Sequence, residues 1–504
     1  MLSKVTSAAL LGIDGIPVSV EVDVANGLPT FTTVGLPDSS VRESKDRVKA
    51  AIKNCGYEFP NRKITVNLAP ADLKKEGPSF DLPIALGLLA TTGIVNQQNL
   101  DRYLAVGELS LDGALRPVPG ILSIALAAAE MQVEGLIVPY ENRHEAHLAG
   151  TIEILAVKNL YEIVEILNGL REIETFSPEP DDENNAQYQV GFEDIKGQQH
   201  VKRALEIGVA GMHNVLMQGP PGSGKTLIAR CLPSIMPDWS FSERLETTKL
   251  YSIGGGQKNC KLLPQRPFRA PHHTISDAGL IGGGPYPRPG EVSLAHNGVL
   301  FLDELPEFKK HVLEVLRQPM EDGNVTIARA QISLTYPARF MLVGAMNPCP
   351  CGYHGDKNNR CHCNDNQIRR YKSKISGPLL DRIDMHLEVS ALEFEKLQSR
   401  EQVETSDHVR KRVNKARKLQ SERFNTTRNV FTNAQMSVKE IEIYCRIEEK
   451  SKLLMERSVN TLGLSARAYH RILKLARTIA DLDSSETLMT KHVAEAVQYR
   501  RGEI

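Results

Sequence analysis

A glycine-rich stretch, G-P-P-G-S-G-K-T, contains the residues whose types and spacing most clearly point to chemistry. Its glycines allow backbone N–H groups to surround phosphate oxygens at the start of a helix. Lys225 can then reach β- and γ-phosphates, and the Thr226 hydroxyl can ligate Mg²⁺. The spacing predicts a loop that binds ATP with Mg²⁺ through Gly219, Pro220, Pro221, Gly222, Ser223, Gly224, Lys225 and Thr226.

Two apolar runs downstream end in polar residues that suit the same site. Asp303 and Glu304 follow the run 298–302, and Asn347 follows the run 339–345. Asp303 can hold Mg²⁺, Glu304 can polarise the attacking water, and the Asn347 amide can contact the γ-phosphate or that water. The alternative for the acidic pair is capping of the helix that starts near Pro306. Together with the phosphate loop, we favour the catalytic interpretation.

Four cysteines lie just beyond Asn347 with the spacing C-x-C-x9-C-x-C. Cys349, Cys351, Cys361 and Cys363 can bind structural Zn²⁺ tetrahedrally, with His354 and His362 as substitute ligands. In each pair the two cysteines are separated by one residue, whereas the usual zinc knuckle has two in C-x-x-C. A reduced, metal-free loop is therefore the alternative.

Composition narrows the class of protein. At 504 residues, two to four domains are expected. Lys plus Arg and Asp plus Glu balance at 61 each, so any nucleic-acid site must be a local patch. The scattered cysteines fit a reducing compartment. The N-terminus lacks a signal-peptide pattern, and no apolar run predicts a membrane span, so we expect a cytoplasmic location.

The elements that must position these residues predict a multidomain α/β protein. Residues 1–171 mix strand and helix patterns, and 172–190 form an acidic, proline-bearing linker. Residues 191–388 carry the phosphate loop and the apolar strands of a nucleotide-binding core. Residues 389–504 show helical spacing, above all at 466–482 and 490–499.

The first domain resembles the ribosomal S5 domain 2-like α+β fold of Lon protease C-terminal domains, through the stretches 76–79 and 107–120. The resemblance places Ser79 at the position of the Lon nucleophile. No lysine follows Gly120 where Lon has its activating lysine, and a serine without a base is a poor nucleophile. We therefore expect a structural or binding module and no protease activity.

The remaining motifs resemble an AAA+ P-loop module of the magnesium-chelatase type with a C-terminal helical lid, and the whole chain resembles the YifB/ComM family. The resemblance implies a homohexameric ring and a DNA helicase that promotes branch migration in natural transformation, acting on single-stranded or branched DNA. It makes Asn347 a sensor, Arg382 an arginine finger on the neighbouring subunit's γ-phosphate, and Arg467 a sensor-2 arginine. An ordinary Asp–Arg ion pair is the alternative for Arg382.

Direct DNA contacts are harder to assign. Two short segments with alternating polar and apolar residues flank Arg329 and predict a hairpin. This hairpin can place the arginine on a phosphate backbone, but an ordinary surface hairpin explains the pattern equally well. His272 and His273 are expected to make polar loop contacts. The basic run 408–418 suggests a solvated helix face, with nucleic-acid contact as the alternative. Rival functions are a metal-chelatase motor, a Lon-like peptidase and an ATPase that remodels a partner protein without DNA.

Overall fold

The computed structural model describes residues 1–75, 77–150, 152–172, 176, 188–254, 262–284, 287–329, 333–355, 360–391, 404–425, 427 and 430–500. The chain divides into two compact units. The first is Met1–Glu183 with Arg244–Leu263, and the second is Asn184–Glu243 with Pro264–Ile504. The linker predicted over 172–190 lies largely outside the described residues. No helix in the described part is both long and apolar enough to cross a bilayer.

The first unit is built on a mixed seven-stranded sheet with the order β3-β4-β2-β1-β5-β8-β9. Strand β2 alternates buried and half-buried residues because one face lies on the core, as its sequence pattern predicts. The strands are β1 (Leu2–Leu11), β2 (Asp14–Ala25), β3 (Thr30–Val34), β4 (Lys63–Ala69), β5 (Tyr103–Ala105), β6 (Glu108–Leu109), β7 (Leu115–Arg116), β8 (Gly135–Pro139) and β9 (Glu153–Val157).

Helices of the first unit cover this sheet with apolar faces. The Asp38 side chain caps the first helix by accepting from the Val41 N–H at 2.7 Å. The second helix is buried nearly all round, which its continuous apolar sequence predicts. The helices are α1 (Ser39–Asn54), α2 (Asp81–Thr91), α3 (Gln97–Leu100), α4 (Ile121–Glu130), α5 (Arg143–His147) and α6 (Leu160–Leu167).

The second unit contains a five-stranded parallel sheet with the order β11-β14-β17-β10-β18. Its central strands are apolar on both faces because helices cover both sides, as for parallel sheets generally. The strands of this unit are β10 (Val215–Gln218), β11 (Phe268–Arg269), β12 (Gly282–Gly283), β13 (Arg288–Pro289), β14 (Val299–Leu302), β15 (Asn324–Ala328), β16 (Ser333–Pro337), β17 (Met341–Met346) and β18 (Met385–Glu388).

Short helices connect these strands, and two antiparallel pairs lie outside the main sheet, β12–β13 and β15–β16. The latter pair confirms the hairpin predicted around Arg329. The helices are α7 (Gln199–Gly211), α8 (Lys225–Arg230), α9 (Leu232–Ile235), α10 (Phe241–Gly254, which belongs to the first unit from Arg244 onward), α11 (Asp277–Ile281), α12 (Glu291–Leu294), α13 (Lys310–Glu314), α14 (Arg317–Asp322), α15 (Asp365–Lys372) and α16 (Gly377–Leu380).

The C-terminal residues are helical, as predicted. In α20, Ile472, Leu475, Ala476 and Ile479 are buried at helical spacing and form one apolar face. The helices are α17 (Ser406–Phe424), α18 (Val438–Tyr444), α19 (Glu449–Leu462), α20 (Ala466–Leu482) and α21 (Thr490–Gln498). The α/β class is thus confirmed, whereas the S5-like, AAA+ and lid assignments of the separate domains stay predictions.

Candidate nucleotide site and cysteine cluster

The phosphate loop follows β10 and depends on glycine at particular positions. Gly222 and Gly224 have φ of +77° and +87°, a region that side chains rarely adopt. At Gly219 a Cβ atom would lie 2.2 Å from the Val389 carbonyl oxygen. Residues with a Cβ at these positions would strain the loop, so its glycines are required by the backbone path.

Lys225 lies in the first turn of α8 and points back into the loop. Its Nζ donates to the carbonyl oxygens of Gly219 at 2.7 Å and Pro220 at 2.9 Å. Burial lowers the pKa of this ammonium, and the carboxylates of Asp303 and Glu304 oppose that shift. A cation held among carbonyl oxygens at a helix N-terminus can exchange those acceptors for phosphate oxygens.

Thr226 and Asp303 lie together where a Mg²⁺ ion would be expected. The Thr226 hydroxyl donates to Asp303 Oδ2 at 2.7 Å, which joins the first turn of α8 to the end of β14. A hydroxyl and a carboxylate are hard oxygen ligands of the kind that Mg²⁺ prefers. The donor set therefore fits the ion that the sequence predicts.

Glu304 is held in an uncommon backbone conformation beside this pair. Its φ is +53°, which is rare for a residue other than glycine, and its N–H donates to Asp303 Oδ1 at 3.0 Å. The carboxylate is 57% exposed, and Oε2 lies 3.5 Å from Nδ1 of His273. The side chain thus faces solvent, from which a water can be taken.

Asn347 directly follows β17 and connects the end of this strand to the phosphate loop. Its Oδ1 accepts from Lys225 Nζ at 3.2 Å, although the two residues are 122 positions apart. Because β10, β14 and β17 are parallel, their carboxyl ends share one edge of the sheet. The fold therefore brings together Lys225, Thr226, Asp303, Glu304 and Asn347.

The two arginines assigned from the resemblance are placed differently. Arg382 is only 5% exposed; its Nη2 lies 2.5 Å from Glu321 Oε1 and its Nη1 donates to the Pro378 carbonyl at 2.6 Å. Arg467 is exposed in the first turn of α20. One turn later, Arg471 pairs with the buried Asp384, two residues after Arg382. The roles proposed for Arg382 and Arg467 stay predictions.

The four cysteine sulfurs of the C-x-C-x9-C-x-C motif lie within 4.8 Å of one another. Cys349 Sγ is 3.3 Å from Cys351 Sγ and 3.8 Å from Cys361 Sγ. The His354 N–H donates to Cys349 Sγ at 3.3 Å, and the side chains of His354 and His362 lie outside the cluster. The thiols converge without help from the substitute ligands considered above.

Other candidate residues lie apart from the nucleotide site. Arg329 is exposed beyond β15 and is close enough that a Cβ on Gly283 would lie 3.2 Å from its Nη2. His272 Nδ1 is 2.9 Å from the Thr274 hydroxyl, which confirms the predicted polar loop contact. In the first unit, the nearest lysine before Ser79 is Lys75, whose Nζ donates to the Pro70 carbonyl.

Two residues at the site carry no signal in the linear sequence. His273 reaches Glu304, and Glu321 pairs with Arg382. His273 belongs to the stretch R-A-P-H-H-T, where adjacent histidines were the only hint, and Glu321 is one of many surface acids. Both contacts join residues that are distant in sequence, His273 with Glu304 and Glu321 of α14 with Arg382.

Three family models match the chain. "Magnesium chelatase, subunit ChlI" matches residues 191–397, "Subunit ChlI of Mg-chelatase" matches 20–142, and "Magnesium chelatase, subunit ChlI C-terminal" matches 403–500. All the candidate nucleotide-site residues except Arg467 fall in the first of these ranges.

Similar proteins cover the chain almost end to end. "Competence protein ComM" of Haemophilus influenzae is 44% identical over 504 residues, which is 99% of this chain and 97% of the relative. "Uncharacterized protein YifB" of Escherichia coli is also 44% identical, over 501 residues and the same shares. "Magnesium-chelatase subunit ChlI" of Guillardia theta is 25% identical over 39% of this chain and 57% of its own length.

Proposed function

The chain belongs to the magnesium-chelatase-like family that includes ComM and YifB, and on that basis we propose that it is an ATP-hydrolysing ring motor acting on DNA. The observation that carries the ATPase part is the meeting of the phosphate loop, the acidic pair and Asn347 at one edge of the sheet. The DNA part rests on the relation to a competence protein. We place its action in branch migration of single-stranded or branched DNA.

The proposed reaction is attack of water on the γ-phosphorus of ATP, which breaks the bond to the bridging β-phosphate oxygen and releases ADP and phosphate. Backbone N–H groups of Gly219, Gly222, Ser223 and Gly224 and the Lys225 ammonium bind the phosphates, and Thr226 and Asp303 hold Mg²⁺. The ion would neutralise charge on the β- and γ-phosphate oxygens. Glu304 orients the water and accepts its proton, and Asn347 fixes the γ-phosphate relative to Lys225.

Arg382 and Arg467 complete the proposed site in a hexamer. Arg382 would stabilise charge on the γ-phosphate bound by the neighbouring subunit, and Arg467 would report the nucleotide state to the C-terminal helices. Because Arg382 pairs with Glu321 within the protomer, this role requires that the ion pair opens during assembly or nucleotide binding.

The test is steady-state ATP hydrolysis with no DNA, with single-stranded DNA and with a four-way junction. Glu304→Gln is expected to bind ATP and to hydrolyse it about 10²–10⁴-fold more slowly, because the general base is lost. Glu442→Gln, an exposed position on α18, is the matched control. DNA is expected to stimulate the wild type and the control.

The alternative is a family ATPase that remodels a partner protein without touching DNA. The partial match to a magnesium-chelatase subunit favours this alternative. Hydrolysis that depends on Glu304 but is unchanged by every DNA structure would reject the helicase proposal and leave the ATPase intact. Equal hydrolysis by Glu304→Gln and wild type would reject the assigned chemistry itself.

A further inference from the structure

We propose that the four-cysteine cluster is a zinc centre that braces the phosphate loop, so that tight ATP binding requires the metal. This inference rests on the proposed function, because it assigns a second site that supports the nucleotide site. It joins two sets of observations: the geometry of the sulfurs, and the contacts between the cysteine-bearing loop and residues 219–226.

The sulfur geometry fits one tetrahedral zinc ion. A Zn–S bond of about 2.3 Å gives S···S edges of about 3.8 Å in a regular tetrahedron. The observed distances are 3.3 Å for Cys349–Cys351, 3.8 Å for Cys349–Cys361 and 3.7 Å for Cys351–Cys361. A disulfide would need about 2.0 Å. The spacing is therefore that of thiolates around a common centre, and four soft sulfur ligands select zinc over Mg²⁺.

The loop between the two cysteine pairs touches the phosphate loop directly. Gly352 follows Cys351, is buried and has φ of +86°. A Cβ at this position would lie 2.6 Å from Pro221 Cδ. Gly352 is therefore packed against Pro221 with no room for a larger residue, and the metal-binding turn forms part of the wall of the phosphate loop.

Both ends of the cysteine segment are tied to Asn347. On the N-terminal side, Cys349 is two residues from Asn347, whose side chain accepts from Lys225. On the C-terminal side, α15 begins with a capping box at Asn364, directly after Cys363. Burial raises the pKa of its Tyr371 hydroxyl to about 12, and the Asn347 backbone opposes that shift, so this buried side chain faces Asn347. Cross-linking the two cysteine pairs through one ion thus fixes the segment that positions Asn347.

The physical reason for a metal here is the small buried area of the described part of the segment, in which Arg360 also packs on the Tyr353 ring at 4.5 Å. Cys349 is fully buried, but Cys351, Cys361 and Cys363 are only half-buried, and the segment has little apolar side-chain area of its own. A bound metal replaces a hydrophobic core in such short segments, and its binding free energy becomes folding free energy. Without it, the contacts to Pro221 and Lys225 would depend on weaker contacts within the segment, such as that of Arg360 with Tyr353.

The first experiment measures metal content and ATP affinity of the full chain purified under reducing conditions. We expect one zinc per chain. A zinc-selective chelator, followed by exchange into Mg²⁺ buffer, is expected to weaken binding of a fluorescent ATP analogue about tenfold, the effect of one charge-assisted hydrogen bond. Added Zn²⁺ is expected to restore the affinity, while circular dichroism stays that of a folded protein throughout.

Two glycine variants separate the effect of loop packing against Pro221 from the effect of zinc binding by the cysteines. Gly352→Ala keeps all four thiols but clashes with Pro221, so it is expected to retain zinc and to lose ATP affinity. Gly355→Ala carries the same positive-φ strain, at +81°, but a Cβ there meets nothing within 4 Å, so it is the matched control and should bind ATP normally. Cys361→Ser with Cys363→Ser should lose both zinc and ATP affinity, whereas Cys55→Ser should lose neither.

Several results would overturn the inference. Absence of bound metal, or iron in place of zinc, would refute the assigned centre. Unchanged ATP affinity in the stripped protein or in Gly352→Ala would show that the centre does not brace the loop, and the proposed ATPase would stand. Zinc-loaded wild type that binds no ATP would instead refute the proposed function.

Discussion

The hydrogen bonds of each residue at the nucleotide site suit that residue to one role. Lys225 donates to two loop carbonyls and to Asn347, so hydrogen bonds within the protein position its ammonium group for phosphate binding. Preorganised charge of this kind needs little rearrangement when phosphate binds. Asn347 reaches Lys225 from the end of a different strand, β17, so its contribution can be isolated.

At Asn347, removal of the side chain is expected to lower kcat about tenfold or more, with a smaller effect on ATP affinity, because a hydrogen bond to a charged group is worth about 1.5–3 kcal/mol. Steady-state kinetics on Asn347→Ala would measure this. Asn460→Ala, exposed on α19, is the control and should behave as wild type. A kcat equal to that of wild type would remove Asn347 from the reaction.

At the scale of elements, the β15–β16 hairpin is the candidate DNA contact. Its inward residues Val325 and Ile327 are buried, which anchors the hairpin, while Arg329 beyond β15 is exposed. An anchored hairpin with a free cationic end can place charge on a phosphate backbone without disturbing the core.

The hairpin prediction is that Arg329→Ala lowers DNA-stimulated ATP hydrolysis and weakens binding to single-stranded DNA, while hydrolysis without DNA is unchanged. The loss should shrink as salt is raised, since a phosphate contact releases counterions. Arg446→Ala, an exposed arginine in a C-terminal loop, is the matched control. DNA binding that is equal in the two variants would assign Arg329 to an ordinary surface hairpin.

The edge strand β18 carries a histidine that links stability to pH. Neither ring nitrogen of His386 has a hydrogen-bond partner among the described residues. Burial and the nearby Arg500 lower the pKa of His386 to about 4, with Asp384 opposing. An unfolded histidine has a pKa of about 6.5, so acid protonates the unfolded chain first and stability is lost as pH falls from about 6.5 towards 4.

The size of this effect can be measured against a variant that does not titrate. At about pH 5 the wild type should lose about 2 kcal/mol of unfolding free energy, relative to pH 7.5, that His386→Gln keeps. Urea unfolding followed by the single tryptophan, Trp239, reports on the second unit. Equal pH dependence in the two proteins would show that His386 is already protonated or solvated in the fold.

At the scale of the whole molecule, the question is whether active sites are shared between subunits. In one protomer, Arg382 is nearly buried against Glu321 and its pair must open for it to act on a neighbour. A heterologous interface that closes into a ring would bring each arginine to the next subunit's nucleotide.

Mixing two inactive variants tests this sharing. Lys225→Ala lacks phosphate binding and Arg382→Ala lacks the proposed finger, so each alone should be inactive. In an equal mixture, about one interface in four pairs an intact nucleotide site with an intact arginine, and activity should return in that proportion. The Lys225→Ala/Arg382→Ala double variant mixed with either single variant should give none. No recovery in the first mixture would assign Arg382 to the intramolecular ion pair.

Where chemistry depends on neighbours in the chain, the sequence alone was sufficient. The G-P-P-G-S-G-K-T loop, the apolar strands ending at Leu302 and Met346, and helix α20 could all be predicted because their signals are local: glycine spacing, continuous apolar runs and helical periodicity. The convergence of the four cysteines was also foreseeable, since both pairs lie in one short segment.

Tertiary structure alone decided the contacts between segments that are distant in the chain. The Asn347–Lys225 bond, the His273–Glu304 approach, the Arg382–Glu321 pair and the packing of Gly352 on Pro221 each depend on which loops and helices the fold packs together. Strand order and loop path set these distances, and neither leaves a pattern in a single sequence. Residue types therefore determined what chemistry this protein can perform, and the parallel order β11-β14-β17-β10-β18 determined which residues stand together to perform it.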